Sequence, residues 1–389
     1  MSYSSLVKGS SKIFCFTLLF TKLLLNESLL KEARLLSVSI FRTMKFLKLL
    51  CLFLCTFSAL AQTKQHSFLD DSASVEVWLN EKKVPALGIG TIKDGEINEI
   101  TVYGEIKEGV KAPKNTLFNV ASLAKPIVSM LTLKLVEMGE WDLDEPLKKY
   151  WVDPDVGEHP YTNILSTRHV LSHRTGFRNW RWEYEDKKLA FDFEPGTKHN
   201  YSGEGFEYLQ KALENKFQKG LDELAKEYIF KPLEMNDTFF NWNTGIDESR
   251  FAVWHNSDGE NTYPTHKNIR TSAADDLVTT VEDYTKFGIY VLSKIHSDNP
   301  LYQEMVKPLY PDEKFKMGLG WEILPDLKQG QKAVLHGGGD VGVRTLIMLL
   351  PDTKEGLIIF SNGDNGSQLN KVLIERHLSL GIEIMASEQ

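Results

Sequence analysis

Ser122 and Lys125 stand three residues apart in Ser122-Leu123-Ala124-Lys125, a spacing that puts both side chains on one face of a helix. A serine hydroxyl is a poor nucleophile until a base takes its proton. A lysine amine can be that base when burial and nearby positive charge favour its neutral form. Two more groups could join them. Tyr201, in Tyr201-Ser202-Gly203, carries a phenol able to pass a proton to a leaving group. His336-Gly337-Gly338-Gly339 ends an apolar run in glycines, which let substrate approach the backbone and let an N–H point at a developing oxyanion. Each motif alone has a plainer reading: an N-cap serine with a solvated lysine, a packed aromatic ring, and a glycine-rich bulge.

The elements around these residues come from periodicity. From Leu123 to about Met138 the apolar residues, among them Ile127, Val128, Met130, Leu131, Leu133, Leu135 and Val136, lie nearly all round a helix. Such a helix belongs in the centre of a core. Pro126 fits only in its first turn, which places Ser122 at the N-terminus, beside the positive end of the dipole and free backbone N–H groups. Val75 to Asn80 reads as part of an amphipathic helix, and Asp283–Ser293 and Gln368–Leu378 also read as helical. Ala86–Ile92 and Ile97–Tyr103 are β-rich runs joined by Lys93-Asp94-Gly95-Glu96, a hairpin signal. Ala333–His336, Thr345–Leu350 and Gly356–Phe360 are further strands, the last two joined through Pro351–Gly356. The expected fold is an α/β chain of the α+β kind. One central antiparallel sheet, built from both chain ends and flanked by helices, carries an inserted, mostly helical region at about 126–265.

Composition narrows the function. The chain has 389 residues, 42% hydrophobic and 25% charged, which excludes disorder on compositional grounds. The net charge is -8 and no run of basic residues is dense enough to neutralise phosphates, so no nucleic-acid partner is expected. From Met44, Lys45 and Lys48 precede an apolar run Leu49–Leu60, and Ala59-Leu60-Ala61 precedes Gln62. That is the layout of a secretory signal peptide cleaved after Ala61, with an N-terminal anchor as the alternative. Residues 1–43 then form an upstream extension, in which Ile13–Leu25 is a second hydrophobic run. Residues 44–61 are the signal peptide and 62–389 the functional domain, with a net charge of -14 once the +6 of the first 61 residues is removed. The expected location is periplasmic or secreted, with no stable membrane span in the mature chain. Cys15, Cys51 and Cys55 all precede Gln62, so the mature chain has no disulfide, thiol nucleophile or cysteine metal site. Cys55 as a lipid-modified residue is disfavoured by the bulk of Leu54.

The motifs occur in one order, and together they resemble the serine β-lactamase family, in the branch with class C β-lactamases, D-alanyl-D-alanine carboxypeptidases and related esterases. Thr116–Lys125 is similar to that branch's approach to the nucleophile, and Leu171–Phe177 to its loop in the helical region. Glu194-Pro195-Gly196 through Tyr201-Ser202 resembles the second motif; Met317–Trp321 and His336–Thr345 resemble the third. The likeness spans about 73–375. It implies an acyl-enzyme mechanism with Ser122 as nucleophile, Lys125 as base, Tyr201 as proton relay and the N–H groups of Ser122 and Gly339 as oxyanion hole. It implies no metal or other cofactor. The substrate is a small molecule or peptide with an ester or amide bond, cell-wall fragments, D-residue peptides and β-lactams included.

Two departures bear on substrate. Gly203 stands where the family's second motif carries an Asn, and Glu204 or a neighbour is left to supply that contact. His336-Gly337 replaces a lysine and a hydroxyl residue, groups that help bind a substrate carboxylate. His336 is charged only near or below roughly pH 6.5 at its ordinary pKa. Gly337 and Gly338 line the expected site, and Arg344 is either an anion contact or a structural residue. His173 reads as a hydrogen-bonded loop histidine, Asp142 and Asp144 as a helix-end loop, and Trp180 and Trp182 as cleft or core residues. The departures keep one competing class open: a catalytically silent module that senses cell-wall fragments.

Overall fold

In the computed structural model, which describes residues 67–310 and 316–387, strands from both chain ends form one sheet. Its members are β1 (Ala86–Lys93), β2 (Glu96–Lys107), β3 (Val110–Lys111), β6 (Glu322–Leu327), β7 (Gln331–Asp340), β8 (Val343–Leu350) and β9 (Glu355–Ser361). They pair antiparallel in the order β3-β2-β1-β9-β8-β7-β6. The first and last parts of the chain meet at the β1–β9 pairing, where Ile89 faces Ile359. The upstream extension and signal peptide expected at 1–43 and 44–61 lie outside the described residues.

The sequence explains the layering. β1 and β9 are apolar almost throughout, and both are buried on both faces. One face is covered by α1 (Ser72–Lys82) and by helices at the chain's end, α6 (Asn370–His377) and α7 (Gly381–Ser387). There Val75, Leu79 and Leu373 belong to one cluster with Leu87, Met348 and Ile359. The opposite face carries α5 (Val281–Ile295), whose Val281 and Phe287 join Ile347, Ile358 and Phe360. The β1–β2 turn uses Asp94 and Gly95 at φ +55° and +81°, the paired left-handed conformation a tight hairpin needs.

The region between β3 and β6 spans 112–321, longer at both ends than the stretch 126–265 that reads as helical. It holds α2 (Ala124–Glu137), α3 (Thr167–Leu171), α4 (Gly203–Phe217) and α5. It also contains a two-stranded sheet of β4 (Phe118–Asn119) and β5 (Val278–Thr279). β6, absent from the sequence reading, is an edge strand containing Pro325, the position in a sheet where a missing N–H is tolerated. Among the described residues no helix is long and apolar enough to cross a membrane.

Candidate active site

Ser122 lies in a tight 3-10 turn, Ala121–Leu123, that runs into α2. The turn is fixed by three bonds. Asn119 Oδ1 accepts from the Ala121 N–H at 2.8 Å, and the buried Tyr284 hydroxyl donates to the Leu123 carbonyl at 2.8 Å. Thr345 Oγ1 donates to the Val120 carbonyl at 3.0 Å. Ala121 is held at φ +48°, a left-handed backbone that a residue with a Cβ adopts only under such constraint. From Ala124 to Leu133 every side chain of α2 is buried, as an all-round apolar helix requires. Lys125 is therefore carried into the core at 0% exposure. Its Nζ lies 3.0 Å from Ser122 Oγ and donates to the Ala274 carbonyl at 2.7 Å.

Tyr201 reaches the same amine from the other side, its ring centroid 4.8 Å from Lys125 Nζ. It directly precedes Ser202, the N-cap of α4, whose Oγ accepts from the Gly205 N–H at 3.0 Å and donates to the Arg178 carbonyl at 2.8 Å. Beneath it lies His173, stacked on the phenol at 4.2 Å between centroids. His173 Nδ1 accepts from the Ser202 N–H at 3.1 Å, so the loop histidine positions the tyrosine through both ring and backbone. Burial, together with the Lys125 charge, pushes the His173 imidazole far below its ordinary value and keeps it neutral.

β7 supplies the facing wall. Gly338 packs so closely that a Cβ there would come 2.2 Å from Thr345 Oγ1 and 2.5 Å from the Val120 carbonyl, so only glycine lets this strand meet the nucleophile turn. Gly337 and Gly339, on the opposite face of the strand, line the cavity; a Cβ on Gly339 would meet nothing within 4 Å. His336 is buried, and burial followed by the Lys125 charge lowers its pKa to about 3. The neutral ring donates from Nδ1 to the Gly337 carbonyl at 2.8 Å, which leaves Nε2 as an acceptor.

A cavity of about 920 Å³ joins these groups. Of the sequence candidates, Ser122, Tyr201, His336, Gly337 and Gly339 line it, with the Lys125 amine behind Ser122. Gly338 is packed behind that wall, and Arg344 is not among the residues that line the cavity. The Arg344 guanidinium bonds the carbonyls of Asp340 and Val343 and pairs with Asp364 at 3.4 Å. Glu204, suggested as a replacement for the second-motif Asn, is 5% exposed and held by Arg181 and so does not fill that role. Lining residues that the sequence reading did not single out include Asn179, Asp275, Glu322 and Asp340. Burial raises the Asp275 carboxyl to about 7; the Asp276 and Asp340 charges push the same way, against Lys125. Burial also raises Asp340. An acid's burial is set by tertiary packing, so no local signal marks these positions.

A family model described as Beta-lactamase matches residues 60–381. The D-alanyl-D-alanine-carboxypeptidase/endopeptidase AmpH of Escherichia coli (strain K12) is 25% identical over 299 residues, 68% of this chain and 76% of its own. Penicillin-binding protein 4* of Bacillus subtilis (strain 168) is 24% identical over 324 residues, 72% of this chain and 68% of its own. Among solved structures, a class C β-lactamase superimposes with a TM-score of 0.66 at 16% identity, over 81% of this chain and 96% of that one. The D-alanine carboxypeptidase AmpC from Burkholderia cenocepacia gives 0.65 at 19% identity, over 82% and 99%. These structural likenesses establish the common fold, and the family match extends over most of the sequence. The chain belongs to the β-lactamase family of serine hydrolases.

Proposed function

We propose that this hydrolase is exported and cleaves an ester or amide bond through an acyl-enzyme on Ser122. The observation that carries the reading is the buried Lys125 amine, 3.0 Å from Ser122 Oγ at the floor of a cavity that Tyr201 and the β7 glycines also line. Lys125 takes the serine proton as Oγ attacks the carbonyl carbon. The oxyanion is held by the N–H groups of Ser122 and Gly339, each contributing about 3 kcal/mol to the transition state. Tyr201 passes a proton to the departing oxygen or nitrogen. Water, deprotonated through the same pair, then releases the acyl group from Ser122. Export rests on the signal-peptide pattern ending at Ala61 and places the enzyme in the periplasm or outside the cell. A small-molecule or peptide substrate is expected, with no cofactor. The carboxypeptidase relatives make D-residue peptides one substrate class to test, beside simple esters and β-lactams.

A fluorophosphonate or a labelled penicillin is expected to modify a single residue, mapped by mass spectrometry to Ser122 and lost in Ser122→Ala. Labelling elsewhere, or none with any acylating reagent, overturns the mechanism in favour of a silent binding module. Nitrocefin, p-nitrophenyl esters and D-Ala-D-Ala peptides then separate the substrate classes.

A further inference from the structure

Gly203 has no side chain, and the structure shows what occupies the space beside it. A Cβ built there would lie 2.8, 3.0 and 3.1 Å from three atoms of the Trp180 indole. Trp180 lines the same cavity as Ser122 and Tyr201. Its other neighbour is Trp182, stacked at 4.8 Å between centroids and 14° between planes, and 62% exposed. An exposed indole stacked on a cavity-lining one extends a flat apolar wall from the cavity to solvent. Isolated exposed tryptophans need no explanation, but a stacked pair ending in a site does.

The wall is fixed before any substrate arrives. Asn179 Oδ1 accepts from the Gly203 N–H at 2.8 Å, and its carbonyl accepts from the Glu204 N–H at 3.0 Å. The buried Glu204 carboxylate accepts from the Arg181 backbone N–H at 3.0 Å and from its guanidinium at 2.7 and 3.1 Å. Arg181 in turn reaches Asp153 at 3.0 Å and Asp155 at 3.4 Å. The residue between the two indoles is thus tied to the start of α4 and to a second loop. Rigid aromatic surfaces lose little conformational freedom on binding, so a wall ordered in this way favours a flat partner.

We propose that Trp180 forms a stacking subsite for a flat apolar ring of the substrate next to the scissile carbonyl, with Glu204 and Arg181 as positioning residues. The proposal deepens the serine-hydrolase reading of this cavity and rests on it for the position of the carbonyl. Asn179 commits its amide oxygen to Gly203, so its donor Nδ2 is the end available to a substrate acceptor. The ring can belong to the acyl part or to the leaving group, since either would present the same π-face.

Two substrate pairs separate these sources. The acyl pair is p-nitrophenyl acetate against p-nitrophenyl phenylacetate. The leaving-group pair is methyl acetate against benzyl acetate, followed by acid release. In Trp180→Ala the kcat/KM preference for the ring-bearing member is expected to fall about tenfold in one pair, mostly through KM, and Trp180→Phe to retain most of it. A preference that changes less than twofold in both pairs overturns the subsite. A binding arm does not depend on catalysis: phenylacetamide and benzyl alcohol, one analogue for each pair, are titrated into Ser122→Ala by tryptophan fluorescence and by calorimetry. Weakening of at least one analogue about tenfold by the added Trp180→Ala change supports the subsite even if no ester is turned over. Binding of both that ignores Trp180, or absent from the parent, overturns it even if Ser122 is the nucleophile. Circular dichroism of each variant checks that the fold is retained.

Discussion

Replacing Asp275 by Asn is expected to stabilise the protein at neutral pH and to lose that benefit in acid. Asp275 lines the cavity, and its carboxyl, raised to about 7 mainly by burial, is about three pH units above its ordinary 3.8. Between those two values the folded chain holds a proton that the unfolded chain releases, so stability falls as pH rises through the window. At about 1.4 kcal/mol per unit, and with some allowance for its partial contact with solvent, ionisation at pH 7 costs the fold about 3 kcal/mol. Asn is nearly isosteric with the neutral acid and keeps an oxygen for the Asp276 N–H, which Asp275 Oδ1 accepts at 2.9 Å. Asp275→Asn should therefore add about 3 kcal/mol at pH 7 and under about 1 kcal/mol at pH 4.

His336 works in the opposite sense. Its pKa falls from 6.5 to about 3 on folding, so the unfolded chain binds the extra proton in that range and stability drops as pH falls through it. The two groups offset one another between roughly pH 4 and 6.5 in the parent, and Asp275→Asn exposes the histidine slope. Equilibrium urea unfolding, followed by tryptophan fluorescence at several pH values, gives the difference directly, since the other titrating groups cancel between parent and variant. A gain independent of pH, or destabilisation at pH 7, would refute the burial argument. The parent keeps the acid despite its cost, as expected where function and stability compete.

Lys125→Met fills the same buried channel without an amine. It should lower kcat/KM for p-nitrophenyl acetate by at least about a thousandfold and move stability by less than about 2 kcal/mol, checked by rates and thermal unfolding. Gly203→Asn pushes its Cβ into Trp180 and should cost about 1–3 kcal/mol in urea unfolding. Trp180→Ala in the same chain should recover most of that cost, as a double-mutant cycle will show. Glu204→Gln weakens the charged bonds that hold Arg181. It should cost about 2 kcal/mol and raise KM for ring-bearing esters with little change in kcat; an equal fall of kcat for all esters would contradict a positioning role.

Much of the fold is legible because its elements are locally consistent. The all-round apolar run after Ser122 could only be a core helix, and Asp94-Gly95 between two β-rich runs could only be a tight hairpin. The edge strand Glu322–Leu327 was not legible, since Pro325 and Asp326 interrupt any alternation and its pairing with β7 is set by the sheet. At the site, spacing marked Ser122 and Lys125, and glycines marked β7, because helix period and close approach write themselves into local sequence. Asp275 left no such trace: its chemistry arises from distant segments brought together, with Lys125 on α2 and Asp340 on β7. Arg344 lies in the third-motif stretch, where the sequence left an anion contact and a structural role equally open; the bonds of its guanidinium to the carbonyls of Asp340 and Val343 appear only in the folded turn.

Burial sets the charge pattern of the cavity, and the Lys125 amine adds to it at the two histidines. Lys125 lies at 0% exposure, and its field adds to burial in keeping His173 and His336 neutral. With a pKa near 3 the His336 ring stays neutral well below pH 6.5 and supplies no cation in mild acid. Among the described residues the lysine lining the cavity is the exposed Lys198, while Asp275, Glu322 and Asp340 bring carboxyls to the same walls. A substrate carboxylate would meet neutral imidazole and glycine at the third motif, and acids nearby. An uncharged group would meet no such penalty, and beside Trp180 it would find apolar surface already in place. On the proposed serine-hydrolase reading, the replaced third-motif residues and the missing second-motif side chain are expected to favour neutral substrates over those with a charged terminus, which kcat/KM for benzyl acetate against a D-Ala-D-Ala peptide tests.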